Sequence, residues 1–188
     1  EVTNKKFIDL EGLSIKDIAK KNNINPLDWL LNHSLTEDGM DTLFIAMLLN
    51  SDEEAVGRLL KHPRSNITLS DAGAHLTFFN DAGYGLYMLE KWVRENNLMS
   101  KEKAIYNLTG KQADIYRIDQ RGRLVPGQYA DMMLIDFDKV GVSKTYRVND
   151  LPGGSSRLNI DGHGIHSVWI NGEKVFNENS CNFVLASI

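Results

Sequence analysis

Apolar residues recur at helical spacing behind three helix-start signatures: Ser14 with Asp17, Asn25 with Pro26 and Asp28, and Ser51 with Glu54. The spacing predicts helices over residues 14–22, 26–34 and 51–61. Between the second and third, Thr42 to Leu49 is almost continuously apolar, and Ile67 to Ser70 follows the third. Both stretches read as strands buried on two faces. A strand, a helix and a strand in about thirty residues form a crossover unit, whose strands must lie parallel.

A further helix is expected from Tyr84 to Asn96, with Leu86, Leu89, Trp92 and Val93 for its apolar face. Ser100 starts another near Glu102 to Leu108, and Thr109 with Gln112 reads as a capping pair for a short helix ending at Tyr116. Beyond residue 117 the texture changes. Gly122, Pro126 and Gly127 bound short segments, Met132 to Phe137 reads as a buried strand, and Ile165 to Ile170 with Val175 and Phe176 reads as a hairpin turned at Asn171-Gly172. The expected fold class is α/β, with strand–helix units over residues 1–117 and a mostly β segment over 118–188.

Composition narrows the function classes. The 188 residues are 42% hydrophobic and 24% charged, as in ordinary globular chains, with a net charge of −4. The basic residues are scattered, so no nucleic-acid footprint is expected. The longest apolar run, Leu43 to Leu49, is too short to span a bilayer, and Cys181, the one cysteine, has no intrachain disulfide partner. Nothing reads as a secretory leader. The expected location is the cytoplasm, and the expected partner is a small molecule rather than nucleic acid or membrane.

The stretch NITLSDAGAH, residues 66–75, carries the candidate chemistry. In parallel α/β sheets and barrels, ligands gather at the carboxyl ends of strands, and Asp71 stands at such an end. A carboxylate there can move protons or bind a metal, and Ala72, Gly73 and Ala74 leave room for a substrate. The competing reading is a turn-capping aspartate. His75, on the same loop, is a candidate to contact substrate or orient Asp71; a turn histidine facing water is the alternative. The loop DLPGGSSRL, Asp150 to Leu158, is expected to be mobile, and Arg157 on it is a candidate for bidentate contact with a substrate carboxylate.

The other patterns carry less. His163 and His166 lack the third ligand that a zinc site needs, and the glycines around them point to a loop entering a strand. His62 ends a helix, and His33 near a helix end favours the dipole. Asp81 to Gly85 lacks the third glycine and the preceding strand of a dinucleotide fingerprint. Ser70 lacks the flanking glycines of a nucleophile elbow.

The segment GRLVPGQYADMMLIDFD, Gly122 to Asp138, resembles the G-x-L-x-P-G-x-x-A-D-L-V-V-x-D stretch near the end of metal-dependent amidohydrolases. Ala104, Thr109 and Ala113 match the helix positions before it, and HSVWINGEKVF resembles the closing hairpin. Upstream, SIKDIAKKNNINPLDWLLNHSL and DEEAVGRLLKHPRSNITLSDAGAH are similar to the N-acyl-D-amino-acid deacylase, or D-aminoacylase, branch. The resemblance implies a TIM-like (β/α)8 barrel with a small β-sandwich built from both ends of the chain. It implies a zinc-bound water attacking the amide carbonyl, and gives the aspartate matched by Asp71 the proton transfer.

The sequence also departs from that family. The His-x-His pair and the later metal ligands have no counterpart, so no metal ligand except Asp71 is expected here, and two parallel strands cannot close a barrel of about 250 residues. The chain reads as the C-terminal portion of a longer hydrolase of non-peptide C–N amide bonds, deacylating N-acyl-D-amino acids and inactive by itself. Ring-opening of cyclic amides and a non-catalytic scaffold that kept the barrel are the alternatives. Unpaired strand edges would favour self-association until the missing portion is supplied.

Overall fold

The computed structural model describes residues 5–36, 39–46 and 49–178. They fall into two units, residues 1–51 and 52–188.

In the first unit a 3-10 turn, Lys5–Leu10, precedes two helices, α1 (Ile15–Lys21) and α2 (Pro26–Ser34). Both start where the capping residues predict. Ser14 Oγ accepts the Asp17 N–H at 3.0 Å, and Asn25 Oδ1 accepts the Leu27 N–H at 2.9 Å with Pro26 in the first turn. His33 does more than meet a helix dipole. Its ring is buried, stacked on Trp29 at 4.9 Å, met edge-on by Phe7 at 4.6 Å, and its Nε2 lies 2.9 Å from Thr42 Oγ1. It is a core residue of this unit.

The second unit opens with α3 (Glu53–Lys61). Its cap is Asp52, whose Oδ1 accepts the Ala55 N–H at 3.0 Å, one position beyond the expected Ser51. The short α4 (Tyr84–Tyr87) continues as a π-helical stretch, Met88–Glu95, followed by α5 (Lys101–Leu108) and α6 (Gly110–Tyr116). Met88, Leu89, Val93, Ala104 and Val140 form the buried core, with Ile67, Leu86, Trp92, Ile135 and Phe137 packed against it. The apolar face anticipated for this helix is the one that is buried.

Two expectations fail. Residues 42–46 and 67–70 form no strand and are not buried on two faces, with Ile45 88% and Leu69 78% exposed; Met47 and Leu48 lie outside the described residues. A parallel strand is held by ladders to its neighbours, and apolar composition alone supplies none. The crossover unit expected over 42–70 is therefore not observed. The Thr109–Gln112 capping pair is also not made. The Thr109 hydroxyl donates back to the Ile105 carbonyl at 2.7 Å, and the Gln112 amide reaches a different segment altogether.

The β elements follow the expected positions more closely, although the strand expected to be buried over 132–137 ends at Ile135 and leaves Met133 and Leu134 about half exposed. β1 (Met132–Ile135), β6 (Ile165–Ile170) and β7 (Glu173–Asn177) form an antiparallel sheet in the order β1-β6-β7. Asn171 and Gly172, both with positive φ, turn the β6–β7 hairpin as the Asn-Gly pair predicts. Two small ladders pair β2 (Gly141–Val142) with β5 (Gly162–His163) and β3 (Tyr146–Val148) with β4 (Arg157–Asn159). The observed class is mixed α/β with small sheets.

Asp131 pins the entry to β1. Its carboxylate accepts the Asn171 N–H at 2.8 Å and pairs with Arg121, whose guanidinium lies over the Tyr129 ring at 4.4 Å. The Asn171 hydrogen bond first, then Arg121, hold its pKa below the ordinary 3.8. A depressed carboxylate contributes stability above its unfolded pKa and loses it as pH falls through the folded value. Asp131→Ala is expected to destabilise the unit by about 2 kcal/mol at pH 7, the scale of charged hydrogen bonds. In urea titrations the gap between wild type and variant should narrow progressively below about pH 4.

Candidate functional site

Asp71 sits where an extended segment ends and a tight loop begins. The Ser70 hydroxyl accepts the Ala72 N–H at 3.1 Å, and the Asp71 carbonyl accepts the Ala74 N–H at 2.9 Å. Asp71 has φ 51° and His75 φ 50°, left-handed backbone at two non-glycine residues four apart. Asp and His are among the side chains that tolerate this region best. Gly73, at φ 94°, has nothing within 4 Å of where a Cβ would stand, so the turn is open to solvent at that point. Asp71 is exposed.

His75 is also exposed, and its ring stacks on Phe78 with centroids 5.0 Å apart. The β3–β4 hairpin is fastened to the same loop: the Leu158 N–H donates to the Leu76 carbonyl at 2.8 Å and Arg147 Nη1 to the Thr77 carbonyl at 3.0 Å. The fold therefore brings together the loop carrying Asp71 and His75 and the hairpin carrying Arg157. No sequence signal marked that contact, because it joins segments 70 to 82 residues apart, through one backbone bond and one from the Arg147 side chain.

Arg157 is not on an unstructured loop. A 3-10 turn, Pro152–Gly154, leads into β4, and the guanidinium grips Asp150 in bidentate fashion, Nε to Oδ1 at 2.7 Å and Nη2 to Oδ2 at 2.6 Å. That pairing lowers the pKa of Asp150 and raises that of Arg157. Nη1 also donates to Asn159 Oδ1 at 3.0 Å, and Asn159 in turn donates to the Tyr146 hydroxyl at 2.7 Å. Arg157 already holds a carboxylate in the geometry suggested for a substrate.

Two of the remaining histidines have partners within the chain. His62 caps α3, and its Nδ1 accepts the Arg64 N–H at 3.2 Å. His163 lies in β5, and His166 in β6 meets Glu178 at 2.5 Å. No group of three or more His, Cys, Asp or Glu side chains able to hold a metal occurs among the described residues. No described helix is long and apolar enough to cross a membrane. Two shallow concavities lie elsewhere, one of about 430 Å³ against α5 and α6, the other of about 470 Å³ between α3 and Trp92; Asp71 lines neither.

Comparison with known proteins supplies what geometry does not. The profile described as "Amidohydrolase family" matches residues 20–176. The chain belongs to the amidohydrolase family. It is 32% identical over 127 residues to the N-acyl-D-aspartate deacylase of Alcaligenes xylosoxydans xylosoxydans, covering 66% of this chain and 24% of that protein. It is 30% identical over 135 residues to the N-acyl-D-glutamate deacylase of the same organism, covering 70% and 25%. The chain thus spans about a quarter of the length of these relatives. Among solved structures, the N-acyl-D-glutamate deacylase of Bordetella bronchiseptica, crystallised with zinc and a phosphonate mimic of the tetrahedral intermediate, matches with a TM-score of 0.52. The match is 23% identical and covers 96% of this chain and 35% of that one, a likeness of fold.

Proposed function

We propose that this amidohydrolase chain is the C-terminal portion of an enzyme that hydrolyses the C–N amide bond of N-acyl-D-amino acids. In this reading residues 1–117 belong to the last strand–helix units of a (β/α)8 barrel and residues 118–188 to its accompanying β-sandwich. The supporting observation is the S-D turn: Asp71 is exposed, on a turn open to solvent at Gly73, and tied through Leu76 to the hairpin that carries Arg157.

Asp71 is the proton carrier. Its carboxylate takes a proton from the attacking water and returns it to the departing amine nitrogen, so that one group serves as base and then as acid. His75 borders the substrate space on the same loop. Arg157 holds the substrate's carboxylate, which displaces Asp150 from the guanidinium. The zinc implied by the family finds no donor set among the described residues, and a single carboxylate does not make a zinc site. Residues 1–188 by themselves are therefore expected to be inactive. With Leu69 at 78% and Phe78 at 70% exposure on either side of Asp71, they are also expected to self-associate.

The test is a substrate panel on the full-length protein, following release of the free amino group. N-acetyl-D-aspartate and N-acetyl-D-glutamate should be hydrolysed ahead of their L-forms and of cyclic amides. Replacing Arg157 by Ala should raise KM roughly tenfold with kcat little changed, the signature of lost binding shared by ground and transition states. An unchanged KM removes Arg157 from the site. No turnover of any amide favours a scaffold that kept the barrel without its chemistry.

A further inference from the structure

The segment that leads to Asp71 is extended yet unladdered, so something other than a sheet must hold it. Gln112, on α6, makes the connection. Its Nε2 donates to Asn66 Oδ1 at 2.6 Å, while Asn66 Nδ2 donates to Gln112 Oε1 at 2.8 Å. The same Nε2 lies 2.8 Å from the Ile67 carbonyl and 2.8 Å from the Asn107 carbonyl. One amide thus bridges the end of α5 and two successive residues of the approach to Asp71. Lys111, its neighbour, donates to the carbonyls of Pro63, at 3.3 Å, and Ser65.

Downstream support is thinner. Ile67 packs against the core, and the Tyr84 hydroxyl reaches the Thr68 carbonyl at 3.4 Å. Leu69, Asp71 and the loop residues as far as His75 are exposed. Only three residues separate Ile67 from Asp71, so a displacement at the amide pair passes along a short extended lever to the carboxylate. A misplacement of about 1 Å can cost two orders of magnitude in rate.

We propose that Gln112 is a positioning residue, which sets where the Asp71 carboxylate stands by clasping Asn66 and Ile67 from α6. The consequence for catalysis rests on the reading of Asp71 as the proton carrier; the mechanical part does not. Gln112 never touches the reacting atoms. Its side chain has nearly the length of methionine, so Gln112→Met removes the amide while preserving bulk.

Three variants of the full-length protein make the test: Gln112→Met, Asn66→Ala, which breaks the pair from the other side if the first folds poorly, and Val140→Ala as a core reference of reduced stability. Hydrogen–deuterium exchange and steady-state kinetics are measured on each, with Asp71→Asn in parallel. Gln112→Met and Asn66→Ala are expected to accelerate exchange selectively over residues 66–74 and to lower kcat roughly 10- to 100-fold with KM within twofold. Val140→Ala should lower the melting temperature without that selective exchange and without the fall in kcat. Unchanged exchange over 66–74 in the Gln112 and Asn66 variants overturns the clasp. Selective exchange with normal kcat, while Asp71→Asn is inactive, overturns the positioning role. If Asp71→Asn keeps full activity, the reading of Asp71 falls, and the catalytic half of this inference with it; the exchange data still decide the clasp.

Discussion

Asp71→Asn in the full-length enzyme is expected to lower kcat by about 10³-fold with KM changed little. General acid–base groups typically contribute 10² to 10⁴, and the proposed role has this carboxylate serve in both directions of proton transfer. Asparagine is the informative replacement because it keeps size and, like aspartate, tolerates left-handed backbone, here φ 51°. The loop should keep its shape while the proton carrier is lost. A progress curve of amine release, run beside a circular dichroism spectrum of the same sample, separates chemistry from folding. Retention of even a tenth of the wild-type kcat would place the proton transfer on another group and leave Asp71 a turn residue.

The second large effect concerns stability. Gly164 has φ 71°, and a Cβ built there would stand 2.5 Å from Val140 N, 2.6 Å from Val140 Cα and 2.7 Å from the Lys139 carbonyl carbon. Those are backbone atoms, which cannot swing aside as a side-chain tip can. Two hydrogen bonds lock the contact: the Asp136 N–H donates to the Gly164 carbonyl at 2.8 Å, and the Val140 N–H to the Asp136 carbonyl at 2.8 Å. Val140 is fully buried. Gly164→Ala is therefore expected to cost about 3 kcal/mol or more, combining left-handed strain with overpacking. Gly153, at φ 74° with nothing within 4 Å, supplies the control, and Gly153→Ala should cost only about 1 kcal/mol. Chemical denaturation of the two variants separates crowding from strain; equal losses would mean that the Val140 contact is easily relaxed.

What the sequence disclosed depended on how local each feature is. Ser14, Asn25 and Ser100 announce helices because a side-chain oxygen and the N–H two or three residues on settle the matter within one turn. Asn171-Gly172 announces its hairpin for the same reason. The segments 42–46 and 67–70 misled because an apolar run by itself guarantees neither burial nor a ladder partner: Ile45 is 88% and Leu69 78% exposed. Gln112 misled in the opposite sense: its spacing from Thr109 imitates a capping box, and a stronger tertiary demand from Asn66 took the side chain. At the site, Asp71 and His75 were readable as polar residues in a small-residue turn. The bidentate hold of Asp150 on Arg157 was not, since six intervening residues conceal which side chains meet.

Glu90 and Arg94 carry one more implication, for how relatives can be recombined. Glu90 accepts the Val142 N–H at 3.1 Å, and Arg94 donates to the carbonyls of Phe137, at 3.2 Å, and Val140. A chimera that joined the helices of one amidohydrolase to the strands of another at residue 117 would therefore pair a foreign peptide edge with this carboxylate and guanidinium. Crossovers that leave residues 84–142 undivided keep those partners inherited together, and a shuffled library screened for soluble expression should be enriched in them.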